Sequence, residues 1–449
     1  MGDRAVAAVI LAAGMGTRMK SALPKVLHPV AGRPMIQHIQ AALAPLKHAR
    51  TIVITSTGQD DVRAAVAPAG SAVQDPALGT AHAVLAAREQ LKDFDGTILV
   101  LFGDTPLLKA ETIQAMAEIM EGPDDPAVAV LGFRPDDPAA YGRLITDGDG
   151  TLEAIVEFRE CTEAQKQIDF CNAGIMALDG RVAVDFMDRI GNDNSKGEYY
   201  LTDIVAIARA EGRTCVTVEG NPEEVMGVDH RGKLAEAEAV AQRRLREAAM
   251  AGGATLIAPE TVFFCHDTEI GQDVTIEPHV VFGPGVKLHD NVHVKAFSHL
   301  EGAEVFPEAS VGPYARLRPG AEIHQGAKIG NFVEVKKATI EKGAKVSHLT
   351  YIGDARVGAE ANIGAGTITC NYDGYFKYRT DIGAGAFIGS NTALVAPVTI
   401  GDGAIVGAGS TIAKDVEADA MALTRGDHTL KAGWAARFRK AALAKKAKK

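Results

Sequence analysis

The residues best suited to chemistry near the start of the chain are Leu11-Ala12-Ala13-Gly14-Met15-Gly16-Thr17-Arg18-Met19, followed by Pro24-Lys25. Two glycines let a backbone approach a phosphate closely, and their amides can donate hydrogen bonds to it. Arg18 and Lys25 place two cations where a triphosphate concentrates negative charge. The string is not a dinucleotide fingerprint, because Thr17-Arg18 replaces the third small residue; nor is it a Walker loop, because no Gly-Lys-Ser/Thr follows. Asp104, in Phe102-Gly103-Asp104-Thr105-Pro106, follows an apolar run, and Asp229 lies in Gly227-Val228-Asp229-His230-Arg231. A carboxylate such as Asp104 at a strand's carboxyl end beside a phosphate loop is a hard oxygen ligand for a divalent cation. Asp229 is also placed to cap a helix beginning near Arg231.

A second reactive group stands in the C-terminal half. His348, within Ser347-His348-Leu349-Thr350-Tyr351, offers an imidazole that can take a proton from an attacking nucleophile. Cys370-Asn371-Tyr372-Asp373-Gly374 adds polar and aromatic groups.

Two kinds of scaffold must position these groups. Val6–Leu11 is a continuous apolar run, the pattern of a strand buried on both faces, and 51–55, 97–101 and Val128–Phe133 repeat it. Helix-like segments fall between them at 34–43, 81–91 and 111–120, which predicts a mostly parallel sheet covered by helices. Residues 144–157 form a predicted hairpin around Asp147-Gly148-Asp149-Gly150. Ligands of such sheets sit beyond the carboxyl ends of the strands, where the loop 11–25 and Asp104 fall.

The other scaffold is periodic. From Ile270 an aliphatic residue, once Phe282, returns every six positions as far as Ile363, with five-residue steps only at 300–305, 335–340 and 352–357. The beat resumes at Ile382 and ends at Ile412. Hexapeptide periodicity specifies a parallel β-helix whose coils bury their apolar residues only by stacking. Three rungs make one coil, and coils stack at ~4.8 Å. Counting three rungs sets Arg318 over Lys336 as a two-pronged phosphate clamp. It aligns Arg316, Glu334 and Tyr351 in the next column, and puts His348 on the column of Asn331 and Ala365. Glu334 is placed either to orient His348 or to pair with Arg316. The one large interruption, 364–381, holds the Cys370–Gly374 string and marks a candidate active-site loop. Between the scaffolds, Leu234, Ala237, Val240 and Ala241 share one face of a predicted linking helix that ends at Ala251-Gly252-Gly253. The expected domains are 1–228, a helical linker 229–252, and 253–449.

Composition narrows the function classes. The net charge is −10 and the one basic run is Lys445-Lys446-Ala447-Lys448-Lys449, which argues against a nucleic-acid partner. Five cysteines without CxxC spacing point to reduced thiols in a cytoplasmic protein. The opening Met1-Gly2-Asp3-Arg4-Ala5 carries no signal-peptide pattern, and no apolar stretch approaches the ~20 residues of a membrane span.

The string from Leu11 to Lys25, with Leu27-His28-Pro29-Val30-Ala31-Gly32-Arg33-Pro34-Met35, resembles the sugar-nucleotide pyrophosphorylases. With the hexapeptide half, nearly the full chain resembles the bacterial bifunctional N-acetylglucosamine-1-phosphate uridyltransferase/glucosamine-1-phosphate acetyltransferase family. The resemblance implies a Rossmann-like nucleotidyltransferase domain joined to a left-handed parallel β-helix. It implies that Leu11, Ala12, Gly14, Lys25, Gln74, Gly79 and Thr80 bind UTP, with Arg18 and Lys25 catalytic. Asp104 and Asp229 match the Mg²⁺ positions, and Gly142, Glu157 and Asn172 match the sugar site. Two departures stand out: Asp229 where the family commonly has asparagine, and Ala173 where it often has threonine. His348 matches the catalytic base, while Arg318, Lys336, Tyr351 and Asn362 match residues holding glucosamine-1-phosphate. Asn371 and Tyr372 would lie beside the reacting amine, and with Ala365, Ser390, Ala408 and Arg425 they match the acetyl-CoA site. Acetyl transfer from acetyl-CoA would supply the N-acetylglucosamine-1-phosphate that UTP then uridylates. A homotrimer is implied as well; the amphipathic, basic segment 434–449 is placed either to pack across a neighbour or to fray.

Three other readings compete. A nucleotidyltransferase with a regulatory or assembly-only β-helix, as in ADP-glucose pyrophosphorylase-like proteins, needs no base, yet His348 and the interrupting loop are present. A metal-dependent hydratase needs converging histidines, and counting does not gather three of His279, His289, His293, His299 and His324. An initiation-factor-like assembly subunit does not explain Arg18, Lys25 and Asp104.

Overall fold

The computed structural model describes residues 4–46, 48–138, 141–194, 196–426 and 428–446. The first three residues and 447–449 of the basic run therefore lie outside it. The chain forms two compact units, Met1–Glu247 and Ala248–Lys449.

The first unit is built on a sheet in the order Cys215–Glu219, Val128–Phe133, Cys171–Asp179, Thr97–Phe102, Val6–Leu11, Arg50–Ser56, Gly70–Gln74. All neighbours in this order are parallel except Cys171–Asp179, which runs antiparallel to the strands on either side of it. The continuous apolar run of Val6–Leu11 has a simple cause. Ala7 and Val9 enter one core, and Ala8 and Ile10 enter the core on the opposite face. The hairpin forms from Arg143–Thr146 and Leu152–Val156. The helix expected over 81–91 is instead two short ones, Thr80–Leu85 and Arg88–Leu91.

Helix Arg231–Ala251 buries Ala237, Val240 and Ala241 against Val30, Met35, Leu107 and Val228, so its apolar stripe is a packing face. Asp229 does not cap it. Nδ1 of His230 accepts hydrogen bonds from the amides of Gly232 (3.0 Å) and Lys233 (3.3 Å), and an imidazole lone pair does the work expected of a carboxylate.

The second unit is a parallel β-helix. From Ile276 to Ile412 every aliphatic residue of the six-residue beat is buried. The columns stack in register, Ile276 on Val294 on Val311 for one sheet and Leu300 on Leu317 on Val335 for another. Two of the five-residue steps lie inside single strands, Glu334–Ile340 and Tyr351–Val357, which run around a corner without a turn. The interruption is shorter than the sequence implies. Thr369 occupies an anchor position, 1% exposed and paired with Leu394. Its hydroxyl accepts from the amide of Gly353 at 2.8 Å and donates to that residue's carbonyl at 3.1 Å, so a polar anchor is satisfied inside the core. The inserted segment is then 370–379, pinched by a bridge between Tyr372 and Lys377. The chain continues to helix Trp434–Lys446, on which Trp434 and Phe438 are exposed.

Candidate functional sites

In the first unit a cavity of about 330 Å³ opens at the carboxyl ends of the central strands. Leu11, Ala12, Gly14, Lys25, Gln74, Gly79, Thr80 and Asp104 all line it. Gly16 has φ +60°, and a side chain there would meet Lys25 Cβ at 2.6 Å, so this glycine lets the loop fold back onto the lysine. The Gln74 side chain donates to the Gly79 carbonyl at 2.9 Å and fixes that loop. Gly79 has φ +114° because the backbone of Tyr199 passes within 2.5 Å of where a Cβ would stand. The Thr80 hydroxyl accepts from the Leu201 amide at 2.9 Å and does not cap its own helix.

The cations and carboxylates are already paired. Lys25 Nζ contacts Asp104 Oδ2, and Arg18 bridges to Asp229 at 2.5 Å. The Val228 amide donates to the Asp104 carbonyl at 2.8 Å, which ties the two acidic segments together. Two carboxylates on joined segments, each paired with a cation, fit a hard divalent ion that arrives with phosphate oxygens.

Beside this cavity three sugar-site candidates converge. A side chain on Gly142 would meet a Glu157 carboxylate oxygen at 3.6 Å and Asn172 Cβ at 3.8 Å. Asn172 Oδ1 accepts from the Gly174 amide at 2.8 Å, which leaves its amide NH₂ to donate. The register of Cys171–Asp179 shifts between Asn172 and Met176, and Gly174 in this bulge packs against the Phe102 ring that lines the cavity. Partial desolvation, then the charge of Glu160, raises Glu157 above the ordinary 4.5, although the residue still reaches solvent.

In the β-helix, Asn331 and His348 are register partners, and His348 Nδ1 lies 2.6 Å from Asn331 Oδ1. A carboxamide oxygen only accepts, so this bond puts the proton on Nδ1 and leaves Nε2 with a lone pair. Both residues stand two places beyond buried anchors, Ile329 and Val346. So do Ala365, Ser390 and Ala408, beyond the paired anchors Ile363, Ile388 and Val406. Five residues therefore form one column with His348 near its head, and Arg425 closes the far end by donating to the Ala408 carbonyl at 3.3 Å. Asn362 lies on this sheet, whereas Lys336 and Tyr351 lie on another and Arg318 directly follows one of that sheet's strands, Arg316–Leu317.

Arg316, Glu334 and Tyr351 stack as counted, but Glu334 pairs with neither Arg316 nor His348. It accepts from Arg318 at 2.8 Å, the cation pointing to the same side of the next coil. Tyr351 lays its hydroxyl over Gly353, where a Cβ would stand 2.3 Å away. Asn371 is buried and donates to Asp354 at 2.5 Å, so it anchors the insertion. Sequence reasoning missed Lys377. This residue of the insertion, then desolvation and the charge of Arg318, pushes the Lys336 amine down. No period runs through 370–379, so counting could not have placed it.

Comparisons with known proteins match both units. The MobA-like NTP transferase domain matches residues 8–167, and bacterial transferase hexapeptide repeats match 267–302 and 379–414. A relative named bifunctional protein GlmU from Paramagnetospirillum magneticum is 58% identical over 100% of both chains. Namesakes from Rhodospirillum rubrum (64% identical, 96% of this chain and 97% of the relative) and Rhizorhabdus wittichii (61%, 100% and 99%) are similar throughout. With its nucleotidyltransferase cavity and its histidine-headed hexapeptide column in one polypeptide, the chain belongs to the bifunctional GlmU family.

Proposed function

We propose that the chain makes UDP-N-acetylglucosamine in two steps, one in each unit. In the β-helix the amine of glucosamine-1-phosphate attacks the thioester carbonyl of acetyl-CoA. A C–N bond forms, the C–S bond breaks, the amine's proton passes to His348 Nε2, and coenzyme A leaves. Arg318, Lys336 and Tyr351 hold the sugar phosphate, with Lys377 as a further cation. Asn362, Asn371 and Tyr372 complete the acceptor and acetyl sites, and Ala365, Ser390 and Ala408 admit the pantetheine arm along the column, a span of roughly 14 Å from His348 over three coils. Arg425 meets a coenzyme phosphate at its end.

In the first unit a phosphate oxygen of N-acetylglucosamine-1-phosphate attacks the α-phosphorus of UTP. One P–O bond forms, the bond to pyrophosphate breaks, and no general base is needed because the nucleophile is already anionic. Gln74, Gly79 and Thr80 position uracil, and Gly142, Glu157 and Asn172 position the acetamido sugar. Asp104 and Asp229 would hold Mg²⁺, which neutralises phosphate charge when bound. Lys25 and Arg18, released from the two carboxylates, turn to the phosphates.

Assembly as a homotrimer is part of this reading, as is a cytoplasmic setting where UTP and acetyl-CoA are available. An exposed stack of His279, Phe297, Tyr314 and Phe332, with ring centroids 4.9–5.2 Å apart, supports burial against a second copy. Among the described residues no helix is long and apolar enough to cross a membrane.

The observation that carries the reading is the column Asn331, His348, Ala365, Ser390, Ala408. An assembly-only β-helix has no use for a base held in one tautomer at the head of a row of small residues. The test supplies glucosamine-1-phosphate, acetyl-CoA, UTP and Mg²⁺ to the protein and to His348→Ala. The variant is expected to fail at acetylation yet uridylate supplied N-acetylglucosamine-1-phosphate at the parental rate. Undiminished acetylation by the variant would overturn the assignment.

A further inference from the structure

Among the described residues Arg143 is the largest fully buried side chain, 1% exposed, directly after Gly142. A buried guanidinium ordinarily has a carboxylate partner. Among the described residues Arg143 has none within 4 Å. One terminal nitrogen donates to the carbonyls of Pro138 (2.6 Å) and Tyr141 and approaches Cys171 Sγ at 3.8 Å. The other donates to the Lys166 carbonyl at 3.4 Å, and Nε is buried without a partner. The guanidinium carbon lies 5.2 Å from the Phe158 ring centroid.

Three of these five contacts each abut a different sugar-site residue. Tyr141 precedes Gly142, Phe158 follows Glu157, and Cys171 precedes Asn172. Arg143 and Cys171 are register partners, and the Asn172 amide donates to the Gly142 carbonyl at 2.8 Å. A hydrophobic residue of equal volume would pack here without the cost of a desolvated charge, so packing alone does not explain the arginine. Only a planar fork with five donors can collect carbonyls from separate segments while stacking on an aromatic face.

We propose that Arg143 is a positioning residue for the sugar-phosphate acceptor of uridylyl transfer, a role that rests on the assignment of Gly142, Glu157 and Asn172 to that subsite. It touches no substrate. It sets the spacing of the three walls that do, and an error in that spacing falls on the sugar and spares the nucleotide.

The full-length protein, Arg143→Met, Arg143→Lys and Phe158→Leu are assayed for uridylyl transfer, varying N-acetylglucosamine-1-phosphate and UTP separately. Acetyl transfer is measured on the same samples. Arg143→Met is expected to raise the sugar-phosphate KM about tenfold or more with the UTP KM within about twofold. Arg143→Lys should recover part of the loss, because the charge remains without the fork. If Arg143→Met does not fold, Phe158→Leu, which removes only the stacking face, is expected to show the same sugar-selective rise on a smaller scale. Equal changes in both KM values, or a fall in kcat alone, would overturn the proposal. A parent protein that does not uridylate N-acetylglucosamine-1-phosphate would instead overturn the assignment of the subsite.

Discussion

Lys25 Nζ lies against Asp104 Oδ2, so the cation placed to meet a phosphate and the carboxylate placed to hold a metal neutralise each other. Both side chains are less than one-fifth exposed. Such a pair would be costly to break by removing one partner, but on the proposed reading a metal–triphosphate would replace both partners at once. Arg18 and Asp229 repeat the arrangement nearer solvent, with Arg18 72% exposed. The site thus holds its four charges in compact form and can exchange partners without exposing a bare ion.

Lys25→Ala tests this exchange. In the proposed reaction the lysine meets charge that develops on the phosphates, so its loss is expected to lower uridylyl-transfer kcat about 10²–10³-fold. Acetyl transfer, housed in the other unit, should be unaffected, and circular dichroism should show a folded protein. An unchanged uridylyl-transfer rate would remove Lys25 from the site.

The loop that carries Gly79 allows a sharper steric test. A methyl group there would stand 2.5 Å from the Tyr199 carbonyl oxygen and 2.7 Å from its nitrogen, at φ +114°. Neither is a flexible side-chain end, so the loop must move. Gly79→Ala is expected to destabilise the first unit by about 1–3 kcal/mol and to raise the UTP KM. Denaturant unfolding together with separate KM values for UTP and sugar phosphate checks both parts.

How far these sites were legible depends on what each residue does. The β-helix anchors announced themselves because each must be apolar and the coil length hardly varies. Counting alone therefore set His348 beside Asn331 and Arg318 beside Lys336. Thr369 escaped because its hydroxyl is satisfied by Gly353, a partner that periodicity does not reveal. His230 escaped as a helix cap because the neighbouring Asp229 is the commoner capping type. Strand Cys171–Asp179 gave little warning, since Asn172 and Gly174 mark a bulge where a regular strand would alternate. Sequence pattern reports burial well and reports hydrogen-bond partners poorly.

Asn331 should matter only through His348. Removing its oxygen by Asn331→Ala leaves the imidazole free to rotate and to protonate at either nitrogen. Acetyl-transfer kcat is then expected to fall by roughly tenfold, less than the 10²–10⁴-fold loss for His348→Ala. The double variant should be no slower than His348→Ala alone, because the two act as one unit. Additive losses would show that Asn331 acts by another route.

The first unit carries a pH-dependent node at Asp179, whose side chain is fully buried. Burial pushes its carboxyl up, but hydrogen bonds from Arg181 and the charges of Arg4 and Arg181 outweigh this and hold it below the ordinary 3.8. Arg181 Nε reaches both oxygens at 2.8 and 2.9 Å, and Arg213 bridges at 3.1 Å. A depressed folded-state value means that this stabilisation is complete above 3.8 and is lost as pH falls through the lowered value. Asp179→Asn should therefore cost about 3 kcal/mol at neutral pH, because Arg4 loses its carboxylate while Arg181 and Arg213 keep only Asp125. The gap between the two proteins should narrow only in strong acid, as followed by denaturant unfolding across pH.

Cys370 is the one cysteine not fully buried, at the base of the insertion that carries Asn371 and Tyr372. The other four are shielded, and burial pushes the Cys215 and Cys265 thiols up to about 11, so they react slowly. A thiol reagent at limiting concentration should label Cys370 first. Its adduct would crowd Asn371 and the pinch between Tyr372 and Lys377. Acetyl transfer should then fall in step with labelling while uridylyl transfer persists, and acetyl-CoA should slow both labelling and loss. Cys370→Ala should be resistant. Stoichiometric labelling of Cys370 with full acetyl transfer would place the insertion away from the acetyl site.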